Sequence, residues 1–228
     1  MQHLAIIPDG NRRWAAKNKL EALFGHKKGL EAVESAIKVC IKNGIKYLSF
    51  YTFSLENFRR TEHEKSYLFN LLATEFQKAL PQLIKQEVRV KFLGDASLFP
   101  EAIRSTIQEV ERQTNEFGKL QLNLLFCYGA QQEIVHAARL LAQQVKEGTL
   151  APEAITVDML KNNLWTTGIP DPDLIIRTGN VSRTSNFLLY QSAYSEWFFV
   201  DQFWPDMNEV ALEACLEKFT TVKRNFGA

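Results

Sequence analysis

Short apolar or alternating runs recur along the chain, separated by longer amphipathic stretches. The runs fall at residues 4–7, 45–53, 88–93, 120–126, 174–176 and 196–200, and each predicts a strand. Residues 29–42 place Leu30, Val33, Ala36, Ile37, Cys40 and Ile41 at helical spacing. Residues 64–86 carry Leu68, Leu71, Leu72, Phe76, Ala79, Leu80 and Leu83 on one face, with Pro81 expected to bend or interrupt the helix. Further helices are predicted over 100–117, 132–146 and 207–222, with a short turn at 157–163. Strand and helix in alternation imply an α/β fold. Its expected form is a mostly parallel six-stranded sheet with helices on both faces. The most Gly- and Pro-rich stretch, 168–172, is too short to be a linker, so residues 1–228 read as one domain.

Composition narrows the function classes. Of 228 residues, 46% are hydrophobic and 23% charged, which is ordinary for a globular chain. Lys plus Arg number 27 against 26 acidic residues, so no overall field draws the protein onto nucleic acid. An anion site has to be built locally. Three cysteines, Cys40, Cys127 and Cys215, stand in no metal-ligand spacing and suggest a reducing compartment. No apolar run approaches the ~20 residues that span a bilayer, and no leader pattern precedes the first strand. A cytoplasmic protein is expected.

In parallel sheets of this kind ligands bind beyond the carboxyl ends of the strands. The first strand leads into Pro8-Asp9-Gly10-Asn11-Arg12-Arg13-Trp14, where glycine, a helix start and two arginines suit an anion. Asp9 fits that company if a magnesium ion stands between it and a phosphate; otherwise Asp9-Gly10 is a turn and the arginines are solvated. The second strand ends in Ser54-Leu55-Glu56-Asn57-Phe58-Arg59-Arg60. A helix cap by Thr61 with Glu64 accounts for the residues after that stretch and not for the stretch itself. The fifth strand ends in Arg177-Thr178-Gly179, and Arg183, Thr184 and Ser185 open a polar turn able to grip a second anion. Arg177 either meets an anionic ligand or pairs with a neighbouring carboxylate. Glu196 is either a second metal ligand or a charge at a strand edge. Three arginine-bearing strand ends in one crevice suggest a site for two phosphorylated groups. The chain has no Walker loop, no GxGxxG and no zinc motif. Nor does it show a covalent nucleophile beside a base, as a phosphatase would need.

These segments together resemble the cis-prenyltransferase family. The resemblance rests on Asp9-Gly10-Asn11-Arg12-Arg13-Trp14, Gly25-His26, Phe53-Ser54, Glu56-Asn57, Arg60, Arg177-Thr178-Gly179, Arg183, Ser185-Asn186-Phe187-Leu188-Leu189, Gln191, Tyr194, Glu196 and Trp204-Pro205. It implies a magnesium-dependent homodimer that condenses isopentenyl diphosphate with farnesyl diphosphate into a long polyprenyl diphosphate, a carrier for cell-envelope glycans. Transient membrane contact at product release goes with it. Asp9 would bind magnesium and act in catalysis. Gly10, Asn11, Arg12, Arg13, Trp14, His26 and Arg60 would surround the allylic diphosphate. Ser54, Leu55, Glu56, Asn57 and Phe58 would lie near the reacting centre, with Asn57 positioning or relaying the proton that leaves. Arg177, Arg183, Thr184 and Ser185 would hold isopentenyl diphosphate, and Glu196 would complete the metal site across the dimer. Ala22 stands where many members carry Arg, and Phe58 where Trp is common. A growing tail needs an apolar tunnel; Leu68, Leu71, Leu72, Phe76, Ala79 and Leu83, beside Phe50 and Leu124, are candidate walls or else core packing.

Overall fold

The structure is a computed structural model that describes residues 1–224. Six strands, β1 (His3–Ile7), β2 (Tyr47–Ser54), β3 (Val88–Leu93), β4 (Leu120–Tyr128), β5 (Leu174–Arg177) and β6 (Glu196–Phe199), form one sheet in the order β3-β4-β2-β1-β5-β6. Every pairing is parallel. The carboxyl ends of all six therefore lie on one edge, and β1 sits between β2 and β5. That order brings the three arginine-bearing loops together.

The helices are α1 (Asn11–Lys17), α2 (Ala22–Lys42), α3 (Glu62–Lys85), α4 (Glu101–Thr114), α5 (Ala130–Lys146), α6 (Val157–Asn162) and α7 (Glu209–Thr220). Strand β1 has no exposed residue. Leu4 and Ile6 enter the core shared with Ala36, Val39 and Leu212, whereas Ala5 and Ile7 enter the one shared with Tyr128, Ala130 and Phe187. Alternation thus feeds both faces of the sheet, as a parallel strand covered on two sides requires.

Most boundaries lie within two residues of the sequence expectation, and the larger departures are in the helices. Helix α1 is a separate seven-residue element, and α2 begins at Ala22 rather than at residue 29, so His26 lies inside the second turn of α2 instead of ahead of it. The polar composition of 18–28 hides that turn from a periodicity argument. Helix α3 continues through Pro81. Proline removes one N–H from the ladder, and the carbonyl it frees belongs to exposed Gln77, within reach of solvent.

A buried polar row crosses the sheet. His3 Nδ1 donates to the Pro170 carbonyl (2.7 Å), and its Nε2 accepts from Ser49 Oγ (2.8 Å), which accepts from Asn123 Nδ2 (3.1 Å). Burial pushes the His3 imidazole down to about 4, so it is neutral in the folded protein at pH 7.

Candidate active site

A cleft of about 1100 Å³ opens at the carboxyl edge of the sheet, and its lining includes Asp9, Gly10, Asn11, Arg12, Arg13, His26, Ser54, Glu56, Asn57, Arg60, Arg177 and Ser185. Strand β1 delivers Asp9 to its centre. Asp9 Oδ1 accepts from Arg13 NH2 (3.1 Å) and Oδ2 from Arg177 NH2 (2.9 Å). The main chain of Asp9 is clamped as well, since its N–H donates to Thr178 Oγ1 (2.8 Å) and its carbonyl accepts from Thr178 Oγ1 (2.7 Å) and Trp204 N (3.0 Å). Gly10 follows at φ +104°, and a Cβ there would lie 2.6 Å from the Phe203 ring. Only glycine fits a left-handed residue at that approach.

Arg177 ends β5 almost fully buried, and NH1 donates to the Arg183 carbonyl (2.6 Å) and to Ser185 Oγ (2.6 Å). Its neighbouring carboxylate is therefore Asp9 itself, while its Nε is buried without a partner among the described residues. Strand β2 leads into a 3₁₀ turn, Leu55–Arg59, closed by a capping box: the Ser54 side chain accepts from the Asn57 N–H, and Asn57 Oδ1 accepts from Ser54 N (3.0 Å). The turn thus gives Ser54 and Asn57 a structural duty, and Thr61 caps α3 through the Glu64 N–H, as expected (3.3 Å). Glu56 accepts from Asn186 Nδ2 (2.9 Å). Partial burial alone would raise the Glu56 pKa, but hydrogen bonds from Asn186 and Ser54 and the nearby Arg59 charge hold it below the usual carboxylate range. Arg60 pairs with Glu64 (3.0 Å) on the cleft wall.

His26 faces this arginine-rich wall as a neutral ring. Burial, with the charges of Arg60 and Arg12 behind it, pushes the imidazole down to about 4 against the pull of Glu64. It can offer an anion a hydrogen bond, not a charge. His3 and His26 share a consequence. The unfolded chain titrates these rings near 6.5, so between pH 6.5 and 4 it binds more protons than the folded one, and stability falls as pH falls. The full window is worth roughly 3 kcal/mol for each ring. Thermal midpoints measured from pH 6.5 to 4 should drop steadily, and His26→Gln should make the slope shallower. A flat profile would contradict the buried neutral rings.

The fold also places residues away from the cleft. Trp14 turns outward and donates to Asp206 Oδ1 (2.6 Å). Leu55 and Phe58 pack against the apolar cluster around Phe53, with Phe58 edge-on to Phe53. Arg183 is exposed and its carbonyl accepts from Arg177, and the Thr184 carbonyl accepts from Phe187 N (3.1 Å). Glu196 opens β6 opposite Leu174, while Phe199 pairs with Arg177. Three residues of strand, about 10 Å, keep Glu196 from the cleft edge in this chain. Among the described residues no group of three or more His, Cys, Asp or Glu side chains is placed to hold a metal ion.

Residues 7–227 match the family model of undecaprenyl diphosphate synthase. The chain belongs to the undecaprenyl diphosphate synthase family. An isoprenyl transferase of Agrobacterium fabrum is 43% identical over 227 residues, covering 100% of this chain and 92% of its own. A ditrans,polycis-undecaprenyl-diphosphate synthase of Pseudomonas syringae, described as farnesyl-diphosphate specific, is 39% identical over 99% of this chain and 90% of its own. Among solved structures, lavandulyl diphosphate synthase of Lavandula x intermedia with dimethylallyl diphosphate superposes with a TM-score of 0.96 at 31% identity, covering 100% of this chain and 98% of that one. A structure from Campylobacter jejuni described as a probable undecaprenyl diphosphate synthase gives 0.82 at 30% identity, covering 100% and 99%.

In this member of the undecaprenyl diphosphate synthase family an apolar cavity of about 130 Å³ continues from the cleft. Pro8, Asn11, His26, Thr52 and Leu68 line both spaces and form the neck between them. Leu68, Leu71 and Leu72 of the candidate tunnel stripe line the cavity, joined by Leu30, Val33, Phe53, Phe69 and Phe126. Phe76, Ala79, Leu83, Phe50 and Leu124 belong to the core under the sheet instead. One face of α3 thus splits between the two roles. Tyr51, Thr52 and Asn186 also line the cleft; the first two lie inside a run read only as strand, with no separate signal in the sequence.

Proposed function

We propose that this chain is a magnesium-dependent cis-prenyltransferase that adds isopentenyl diphosphate units to farnesyl diphosphate and makes undecaprenyl diphosphate, the precursor of the lipid carrier for cell-wall glycan synthesis. The observation that carries this reading is Asp9, held between two guanidinium groups at a cleft whose far side opens into an apolar cavity. A phosphate-only enzyme has no use for the second space.

Arg12, Arg13, Arg60 and neutral His26 hold the allylic diphosphate; Arg177 and Ser185 hold the isopentenyl diphosphate, and exposed Arg183 swings in from the loop after β5 to meet it. Fixed guanidinium groups stabilise the charge that grows on the leaving diphosphate without reorganising. The donor set suits magnesium, because Asp9 is a hard oxygen ligand facing a phosphate-binding wall and the ion ordinarily takes one or two carboxylates with substrate phosphates. Bound there, the ion supplies Lewis-acid stabilisation of the departing diphosphate. Glu196 reaches such a site from a second copy of the chain, in a homodimer. The allylic carbon–oxygen bond breaks, a carbon–carbon bond forms to the isopentenyl unit, and a proton leaves that unit to a diphosphate oxygen. Asn57 does not take it, since a carboxamide is too weak a base; its Oδ1 is held in the capping box, and its Nδ2 hydrogens bind and position phosphate oxygens. The tail enters past Leu68. No helix among the described residues is long and apolar enough to cross a membrane, so product reaches the bilayer through transient contact.

Incubation with farnesyl diphosphate, labelled isopentenyl diphosphate and magnesium should give polyprenyl diphosphates with released pyrophosphate. Release of phosphate without isopentenyl diphosphate, and no lengthened product, would point to a phosphatase instead. Leu72→Trp should shorten the product while leaving the first condensation fast, whereas Phe76→Trp should leave its length unchanged. Equal product lengths in the two variants, read by chromatography, would remove the cavity from the tail's path.

A further inference from the structure

The turn that presents Ser185 is strained. Ser185, Asn186 and Leu188 all have positive φ, at +50°, +62° and +43°. Non-glycine residues pay of order 1–3 kcal/mol each for such backbone, and they hold it only where surrounding bonds fix it. Asparagine tolerates that region better than most residues.

Asn186 uses its whole side chain. Oδ1 accepts from the Gln131 N–H (2.8 Å), and its carbonyl accepts from the Ala130 N–H (2.9 Å), so it satisfies two free donors of the first turn of α5. The N-cap residue of that helix, Gly129, has no side chain to do so. Nδ2 donates to Glu56 Oε1 (2.9 Å) and to Gln132 Oε1 (3.0 Å). A Cβ on Gly129 would stand 2.7 Å from that nitrogen and 2.4 Å from Gln132 Oε1, so a side chain there would have to push the two amides apart. One residue therefore ties the helix after β4, the turn after β2 and the loop after β5, next to the hydroxyl that Arg177 holds.

We propose that Asn186 is a positioning residue that clasps the Ser185 loop to Glu56 and α5, and so fixes the isopentenyl diphosphate half of the cleft relative to the reacting half. The assignment of substrates rests on the function proposed above; the clasp itself does not.

Asn186→Asp separates positioning from folding. The carboxylate still accepts from Gln131 N at the start of α5, where negative charge is favourable, but it repels Glu56. The KM for isopentenyl diphosphate should rise about tenfold, with the KM for farnesyl diphosphate and the thermal midpoint nearly unchanged. Amide hydrogen exchange over 55–59 and 183–188 in the free protein should quicken by a similar factor. In Asn186→Asp/Glu56→Gln the bond re-forms with its polarity reversed; exchange should return to the wild-type rate, and the KM to that of Glu56→Gln alone. Wild-type exchange in Asn186→Asp, no recovery in the pair, or both KM values rising together with a falling midpoint would each overturn the clasp. Should the wild-type protein make no lengthened product, the substrate assignment fails, and the exchange measurements decide the clasp by themselves.

Discussion

Asp9→Asn should lower kcat by about 10³-fold, the scale on which a preformed stabiliser of leaving-group charge acts. The residue keeps its size, and Thr178 and Trp204 still clamp its main chain. What disappears is the one charge that faces both Arg13 and Arg177. Binding of inorganic pyrophosphate tells the two roles of that charge apart. Without magnesium the variant should bind pyrophosphate about fourfold more tightly, because a negative group has left an anion site and two guanidinium groups are released. With magnesium the wild type should gain affinity and the variant should not. Equal magnesium dependence in both proteins would take Asp9 out of the metal site. Part of the effect is structural: the amide leaves one acceptor oxygen and no charge between Arg13 and Arg177, so buried Arg177 loses its ion pair at a cost of about 1–3 kcal/mol.

Arg177→Lys should be almost as damaging, although it keeps the charge. The guanidinium reaches Asp9 from one nitrogen and both Ser185 and Arg183 from the other, while its side chain is only 5% exposed. An ammonium is a single point and cannot span that fork. The KM for isopentenyl diphosphate should rise about 10²-fold, and unfolding should cost about 3 kcal/mol less, which lowers the midpoint of a chain this size by about 6–12 °C. A variant with wild-type KM and midpoint would mean that the loop after β5 is held by something other than this fork.

The sheet and its cleft were legible because each strand ends where its apolar run gives way to polar groups. Ile7 to Asp9 and Ile176 to Arg177 are such changes, and parallel pairing turns them into neighbours. Helix α1 and the first turns of α2 were not legible, because Lys17 to Lys28 has too few apolar positions to show a period; their fold comes from packing against each other and against the turn at Trp204. The capping box at Ser54 and Asn57 escaped notice because the adjacent cap at Thr61 already explained the helix. Trp14, Leu55 and Phe58 follow cleft residues in sequence but alternate away from the cleft in space. Glu196 marks the limit of a single chain, for β6 runs parallel to β5 and carries its first residue to the far end. Asn186 showed no sign in the sequence beyond its place in a motif, since its role depends on partners 130 and 54–55 residues away.

The most direct measurement is a crystal structure of the protein with isopentenyl diphosphate, magnesium and a thiolo analogue of farnesyl diphosphate that reacts slowly. It should show one diphosphate against Arg12 and Arg13, the other against Arg177, Arg183 and Ser185, metal on Asp9, and the farnesyl chain running past Leu68 toward Leu72. Diphosphates bound away from these arginines, or a tail lying outside the cavity under α3, would contradict the account.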